Sequence, residues 1–206
     1  MAARRLTDLN DRNTGPRTGR IGARARRVAA SVCIALGTLT VGATAGCDAQ
    51  PGQSSRPTHP VTGLPLEKVT IAGKEYKLEL ALNNETRFKG LSDRTKIEED
   101  GGMLFVFPQP AVQSFVMRDC PIDIDIIFLD GAGRITATHA MKAEEPQRED
   151  ESDLAYNDRL TKYPSRGKSQ FVIELAGGTL AKMDPPLKRG ELIKLDVKEL
   201  KSLAKN

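Results

Sequence analysis

Apolar and polar positions alternate along much of the chain after residue 66, and this pattern predicts short β-strands. Tyr76, Leu78 and Leu80 alternate with polar or small residues, which is the period of two expected of a half-buried strand. An apolar run at 69–71 precedes this strand, and the intervening Ala72-Gly73-Lys74 predicts a hairpin turn. The two runs therefore indicate a β-hairpin at the start of a domain.

The same patterns predict the rest of the domain. Further strands are expected at 103–107, 113–118, 124–129, 135–141, 170–175 and 191–197, and short helices near 86–91, 152–160 and 179–183. Many short strands with few helices are typical of a closed or two-layered β architecture. We predict a mostly β fold, a small β-barrel or sandwich with one or two short helices, as a single domain over 66–200 with a tail at 201–206.

The first 46 residues have the order of an export signal. A basic stretch that ends at Arg26-Arg27 precedes the uncharged, apolar residues 28–46, as in a secretory signal peptide. The apolar run ends in Thr44-Ala45-Gly46-Cys47, which resembles a bacterial lipobox, where small residues precede a cysteine that receives lipid. We predict a lipoprotein signal peptide over 1–46 and lipidation of Cys47. An uncleaved anchor helix is the alternative, because the run is about long enough to span a bilayer.

A polar segment rich in proline, glycine and serine follows Cys47 and predicts a flexible linker over 47–65. These features together predict an exported protein, anchored by lipid to a membrane of the bacterial cell envelope. Its globular domain would be periplasmic or otherwise extracytoplasmic. An unknown ligand or an envelope protein would be its partner.

The net charge of +4 comes from the N-terminal segment, since residues 47–206 hold 23 basic and 25 acidic residues, a net charge of −2. This balance excludes electrostatic binding of nucleic acid by the predicted domain. Of the three cysteines, Cys33 lies in the predicted signal and Cys47 at its end, which leaves Cys120 alone in the domain. A single thiol in an oxidising compartment is expected to be buried, to bind metal or to react.

Five segments, in this order and spacing, resemble the domain of unknown function 192 family: 85–94 (ETRFKGLSDR), 102–107 (GMLFVF), 114–126 (SFVMRDCPIDIDI), 175–179 (LAGGT) and 188–191 (KRGE). The resemblance covers about residues 66–200. It implies a small β-rich, barrel-like domain that is commonly exported, and it implies no established activity. Val116 replaces a residue that is usually aromatic in the family, and Asp119-Cys120 replaces the commoner Asn-Thr.

One set of candidate residues suits a soft metal. Met117, Cys120, His139 and Met141 offer thioether, thiolate and imidazole donors, which favour copper as Cu(I). The alternative is that the methionines and the cysteine pack in the core. Cys120 with His139 could also form the dyad of a thiol-dependent enzyme, if the fold brings them within hydrogen-bond reach.

A second set is polar and lies close together in the chain. Arg118, Asp119, Asp123 and Asp125 follow Phe115, and we expect this segment to display a ligand pocket. Paired carboxylates can bind a cation or a sugar, or hydrolyse a glycosidic bond. The alternative for Asp125, which has Ile on both sides, is structural: it would cap a turn or pair with an arginine, because a buried charge needs a partner.

Two further regions remain open. Arg87 and Arg94 would share one helical face if the helix reached that far, where they could hold an anion or simply face water. Residues 144–168 are polar and charge-dense, so they form either a lid or a disordered insertion. Hydrolase and phosphate-loop motifs are absent from the sequence. We therefore expect a non-catalytic binding or accessory module, with the copper site and the thiol enzyme as alternatives.

Overall fold

The computed structural model describes residues 56–206; the predicted signal peptide, Cys47 and the first part of the predicted linker lie outside these residues. The strands of the described part are β1 (Leu66–Ile71), β2 (Lys74–Ala81), β3 (Met103–Phe115), β4 (Ile124–Leu129), β5 (Ile135–Met141) and β6 (Tyr163–Ala176). The helices of this part are α1 (Asn84–Lys89), α2 (Asp153–Arg159) and α3 (Val197–Leu203), with a 3-10 turn at Leu180–Lys182. The mostly β prediction is confirmed.

The six strands form one sheet in the order β1-β2-β3-β6-β4-β5. β2 and β3 are parallel, whereas the other neighbouring pairs are antiparallel. Within residues 56–206 the sheet is not closed into a barrel, because β1 and β5 remain its edges. The barrel alternative of the sequence prediction is therefore wrong, and a layered arrangement around one sheet replaces it.

Local sequence accounts for the turns that were predicted. Ala72 and Gly73 both have positive φ, 47° and 79°, as a two-residue turn that matches the twist of its strands requires. Asn83 caps α1 by accepting a hydrogen bond from the backbone N–H of Thr86, and Ser152 caps α2 in the same way at Ala155. These side chains satisfy backbone donors that a helix start leaves exposed. The predicted hairpin and both helices are confirmed.

Three predicted strands differ from the structure. The runs at 103–107 and 113–118 belong to one strand, β3, whose register against β6 shifts between Val106 and Ala111, where Pro108 and Pro110 cannot donate to the ladder. The predicted strand at 191–197 is instead an extended segment with one isolated bridge, between Leu192 and Arg134. It ends at Asp196, whose side chain caps α3.

Apolar side chains cover both faces of the sheet. One face carries a sulfur-rich core, whose buried members include Met103, Met117, Cys120 and Met141 with Phe105, Phe115, Phe128 and Val172. The other face carries a C-terminal core, which includes Leu78, Leu104, Ile127, Phe171 and Ile173 and packs against the segment from Leu180 to α3. The central strands are therefore buried on both sides, which is why β4 is apolar at nearly every position.

Close approach between β3 and β6 depends on the residue just before β3. Gly102 has φ 146°, and a Cβ there would lie 2.3 Å from the carbonyl oxygen of Glu174. A side chain at this position would push the two strands apart, because no residue other than glycine avoids both the strain and the overlap.

Both ends of the described chain are bonded to the β1–β2 part of the domain. Arg56 forms ion pairs with Glu67 at 2.9 Å and with Glu199 at 2.7 Å, so residues 56–65 of the predicted linker contact the domain. The backbone N–H of Lys205, in the predicted tail, donates to Leu82. Among residues 56–206, no helix is long and apolar enough to cross a membrane.

Candidate functional site

The segment expected to display a pocket lies inside the protein. Phe115, Met117 and Arg118 are all buried, and the ring of Phe115 packs edge-on against Phe105 and Phe128, with centroids 5.6 and 5.4 Å apart. Phe115 and Met117 thus belong to the sulfur-rich core, where they stabilise the fold by apolar burial. They are not at an open surface.

Arg118 and Asp119 bind α2. The guanidinium of Arg118 stacks on the Tyr156 ring, 4.7 Å from its centroid, and Arg159 stacks on the same ring at 4.6 Å. Arg118 also donates to the side chain of Asn157. The Tyr156 hydroxyl donates to Asp119 Oδ1 at 2.9 Å and accepts from the Asp119 backbone N–H at 3.0 Å. Residues 116–119 are therefore covered by α2, and the segment 144–168 includes an ordered helix.

The two remaining aspartates, Asp123 and Asp125, bind different partners. Asp123 accepts from Lys142 Nζ at 2.6 Å and from the Ala143 backbone N–H at 2.9 Å. The hydrogen bond from Lys142 is the main reason that the pKa of Asp123 is below its usual value. Asp125 is buried and accepts from the Leu180 backbone N–H at 2.6 Å, so it caps a turn, as the structural alternative supposed. The structure does not combine them into one carboxylate pair.

The four candidate metal ligands occupy two environments. Met117, Cys120 and Met141 are buried members of the sulfur-rich core. His139 lies at the edge of this core, where its ring contacts Phe128 and Tyr163 and its Nε2 forms a 2.8 Å hydrogen bond with the Pro164 carbonyl. Among residues 56–206, no group of three or more His, Cys, Asp or Glu side chains could hold a metal ion.

The two arginines that could share a helical face do not, because α1 ends at Lys89. Arg87 is buried and forms four hydrogen bonds within residues 56–206. Its Nη1 donates to the carbonyls of Leu82 and Val106, and its Nη2 donates to the Asn84 side chain and the Lys205 carbonyl. Its role is to tie α1 to the sheet and to the C-terminal end of the chain.

Arg94 instead binds a buried carboxylate. Its Nη2 lies 2.8 Å from Oε1 and 3.0 Å from Oε2 of Glu79, and the Glu79 residue is only 3% exposed. Thr62 donates to Glu79 Oε2, and His59 Nε2 lies 3.8 Å from Oε1. A charge this well buried is stable only with such partners, so Glu79 fixes the position of the Arg94 guanidinium.

A cavity of about 280 Å³ adjoins this ion pair and is lined by Thr62, Leu64, Glu85, Thr86, Lys89, Gly90 and Arg94. Its lining combines two cations and one carboxylate with hydroxyl groups and one large apolar side chain. Concave sites of this kind, with a few placed polar groups, are where small ligands bind. This Arg94 cavity is the candidate functional site.

A second cavity, of about 330 Å³, lies by the β1–β2 turn, where Lys74, Tyr76, Glu99 and Lys182 are among its lining residues. Lys74 forms an ion pair with Glu99 at 3.0 Å and lies over the Tyr76 ring at 5.3 Å. Both members of this ion pair are exposed, whereas Arg94 in the first cavity is held by the buried carboxylate of Glu79. We therefore assign the candidate site to the Arg94 cavity.

Sequence reasoning identified Arg94 and missed Glu79, Glu85 and Glu174. Glu79 occupies a polar position of an alternating strand, which indicates solvent unless another element covers it. Glu174 interrupts the apolar run 171–175, and this signal could have identified it, as it did Asp125. Glu174 is fully buried, and neither carboxylate oxygen has a hydrogen-bond partner among the described residues.

Comparison with known proteins gives a family and a fold. The family model described as DUF192, Uncharacterized ACR, matches residues 67–195. A crystal structure of a protein of unknown function from Novosphingobium aromaticivorans DSM 12444 is similar, with 28% identity, a TM-score of 0.54, and coverage of 69% of this chain and 94% of that one. A putative transcription regulator from Sinorhizobium meliloti 1021 shares 24% identity over 63% of this chain and 90% of its own, with a TM-score of 0.47. No curated protein matches the chain.

Proposed function

This chain belongs to the domain of unknown function 192 family, and from that premise we propose that its domain binds a small molecule without catalysis, in the Arg94 cavity. The ligand carries an anionic group that the Arg94 guanidinium receives. The observation that carries this proposal is the placement of Arg94, whose Nη2 is fixed on buried Glu79 while the side chain also lines the cavity.

Two features of Arg94 favour binding. Both of its hydrogen bonds to Glu79 come from Nη2, and Nη1 and Nε have no hydrogen-bond partner among residues 56–206. A guanidinium presents these donors in a geometry that suits a carboxylate or phosphate. Because Glu79 already holds the guanidinium in place, a ligand would not have to order a mobile side chain on binding. Leu64, from the segment before β1, supplies an apolar wall.

The binding proposal can be tested by NMR titration of the full chain with a panel of small carboxylates, with 4-methylpentanoate as the reference. We expect backbone shifts at residues 85–94, and a loss of binding of about tenfold in Arg94→Gln, the size of one charged hydrogen bond. Lys96→Gln is the matched control, because Lys96 is exposed and pairs with Glu98 outside the cavity. The absence of shifts with every member of the panel would refute the proposal.

We also propose that the protein is exported and held at a membrane of the cell envelope by lipid on Cys47. The support comes from the sequence, in which a basic region, an apolar region and small residues precede Cys47. Lipidation would leave the Arg94 cavity on the extracytoplasmic side, where it would meet its ligand or an envelope partner. Metabolic labelling with an alkyne fatty acid, followed by fractionation, tests this: we expect label and membrane association, both lost in Cys47→Ser. Label retained in that variant would overturn the anchor proposal.

A further inference from the structure

The Arg94 cavity is lined by an exposed carboxylate, that of Glu85, which has no ion-pair partner among residues 56–206. Glu85 and Lys89 are four residues apart on α1, in the order that favours an ion pair along a helix. Lys89 Nζ nevertheless pairs with Asp93, at 2.6 Å, and the Glu85 carboxylate forms no ion pair or hydrogen bond with any described side chain. Both residues line the cavity, so a carboxylate without a partner in the described part of the chain lies beside two cations.

Charge balance argues against a ligand that is purely anionic. Arg94 is neutralised by Glu79, and Lys89 by Asp93, so with Glu85 the group of five side chains carries one net negative charge. A simple anion would be attracted by Arg94 but repelled by Glu85. A ligand with a positive group near its anionic group would satisfy both, because each charge would meet its opposite over a short distance.

Size limits the ligand further. The cavity volume of about 280 Å³ lies just below the range for small-molecule sites, which runs from about 300 to 1,000 Å³. This suits a molecule of amino-acid size. Leu64 can contact an aliphatic side chain of such a ligand, and the hydroxyls of Thr62 and Thr86 can form hydrogen bonds with its polar groups.

We infer that the ligand is a small zwitterion, whose ammonium group pairs with Glu85 and whose anionic group binds Arg94 and Lys89. This inference rests on the proposed function and adds the ligand class. Two sources share this chemistry: a free amino acid, and the ethanolamine phosphate headgroup of a lipid. Glu85 is the residue that determines specificity, since it alone distinguishes the zwitterion from the corresponding acid.

A matched ligand series tests the inference with the full chain. L-leucine, 4-methylpentanoate and 3-methylbutylamine share one aliphatic side chain and differ only in the charged groups. We expect leucine to bind about tenfold more tightly than 4-methylpentanoate, as one added charge pair would give. Glu85→Gln should abolish this difference and leave the affinity for 4-methylpentanoate unchanged or higher. Glu98→Gln, an exposed carboxylate outside the cavity, should leave both affinities unchanged.

The outcomes separate the two proposals. If 4-methylpentanoate binds as tightly as leucine, the inference is overturned while the anion site stands. If neither these ligands nor the rest of the carboxylate panel nor glycerophosphoethanolamine binds, the proposed function fails as well. Glycerophosphoethanolamine, compared with glycerophosphate, identifies the source. Two affinity ratios are compared: glycerophosphoethanolamine over glycerophosphate, and leucine over 4-methylpentanoate. A larger first ratio assigns the site to a lipid headgroup, and a larger second ratio assigns it to a free amino acid.

Discussion

Glu174 lies directly opposite Met103 in the β3–β6 pair, and on its other side it faces Ile126 of β4. Its side chain therefore has an apolar neighbour on each adjoining strand. It shares a face with Val172, a member of the sulfur-rich core, because alternate residues of a strand point to the same side. This complete burial raises the pKa of Glu174 to about 8. At neutral pH the folded protein thus holds a proton that the unfolded chain releases.

The first prediction concerns the pH dependence of stability. Because the pKa of Glu174 is raised in the folded state, its contribution to the free energy of unfolding is fully present below pH 4.5, the ordinary pKa of glutamate. This contribution is lost as the pH rises towards about 8. We expect its share of the unfolding free energy to fall by about 1.4 kcal/mol per pH unit across that window. Urea unfolding at pH 6, 7, 8 and 9 measures the slope.

Glu174→Gln removes the titrating group and keeps its shape, so the fall in stability above pH 6 should be much smaller in this variant. Glu98→Gln, which removes an exposed carboxylate, should keep the parent slope. Equal slopes in the parent protein and in Glu174→Gln would show that Glu174 is ionised in the folded state.

The second prediction concerns the ion pair beneath the cavity. Arg94→Gln leaves the carboxylate of Glu79, which is 3% exposed, without its charged partner. We expect a loss of about 2 kcal/mol in the free energy of unfolding, as for a hydrogen bond to a buried charge. Urea denaturation at pH 7 gives the value.

The matched control is Lys96→Gln, which breaks an exposed ion pair with Glu98 and should cost no more than about 0.5 kcal/mol. The double variant Glu79→Gln/Arg94→Gln should recover part of the loss, because no unpaired charge remains. If the double variant instead loses the sum of the two single losses in unfolding free energy, Glu79 and Arg94 do not stabilise each other.

The third prediction concerns α2, whose attachment to residues 116–119 depends on Tyr156. Tyr156→Phe removes the hydroxyl that bonds Asp119 twice while keeping the ring on which both arginines stack. We expect a cost of about 1–2 kcal/mol, confined to local opening of residues 144–160. Hydrogen exchange measured by mass spectrometry should show faster exchange there and unchanged exchange in β4 and β6.

A second variant, Tyr156→Leu, also removes the stacking with Arg118 and Arg159, and its exchange in α2 should be faster still. If exchange rises equally in β4 and in α2, α2 does not open independently of the sheet, and the prediction of local opening is wrong.

The fourth prediction concerns Cys120, which is 2% exposed and belongs to the sulfur-rich core. A thiol reagent must reach the sulfur, so we expect slow labelling in buffer and complete labelling in guanidinium chloride. A background with Cys33→Ser and Cys47→Ser reports Cys120 alone, and Cys120→Ser in addition gives the blank. Rapid native labelling would instead support the reactive-thiol hypothesis.

Several features of the fold could be predicted because they depend on neighbouring residues. The hairpin follows from Ala72-Gly73 and the start of α1 from Asn83, since each local turn has its own backbone requirement. The strand predicted at 191–197 was wrong although Ile193, Leu195 and Val197 alternate. Ile193 and its neighbours do pack on the C-terminal core, but alternation reports which side is buried and not whether a neighbouring strand is available to pair.

The sequence by itself determined most of the strand segments, the positions of α1 and α2, the family resemblance and the predicted export signal, because these depend on residue type and short spacing. Only the tertiary structure decided which charged groups are buried and with whom. Glu79 meets Arg94, fifteen residues along the chain, because the chain after α1 folds back over β2, and Glu174 is enclosed because both faces of β6 are covered. Such pairings depend on the order of strands in the sheet, which no local pattern encodes.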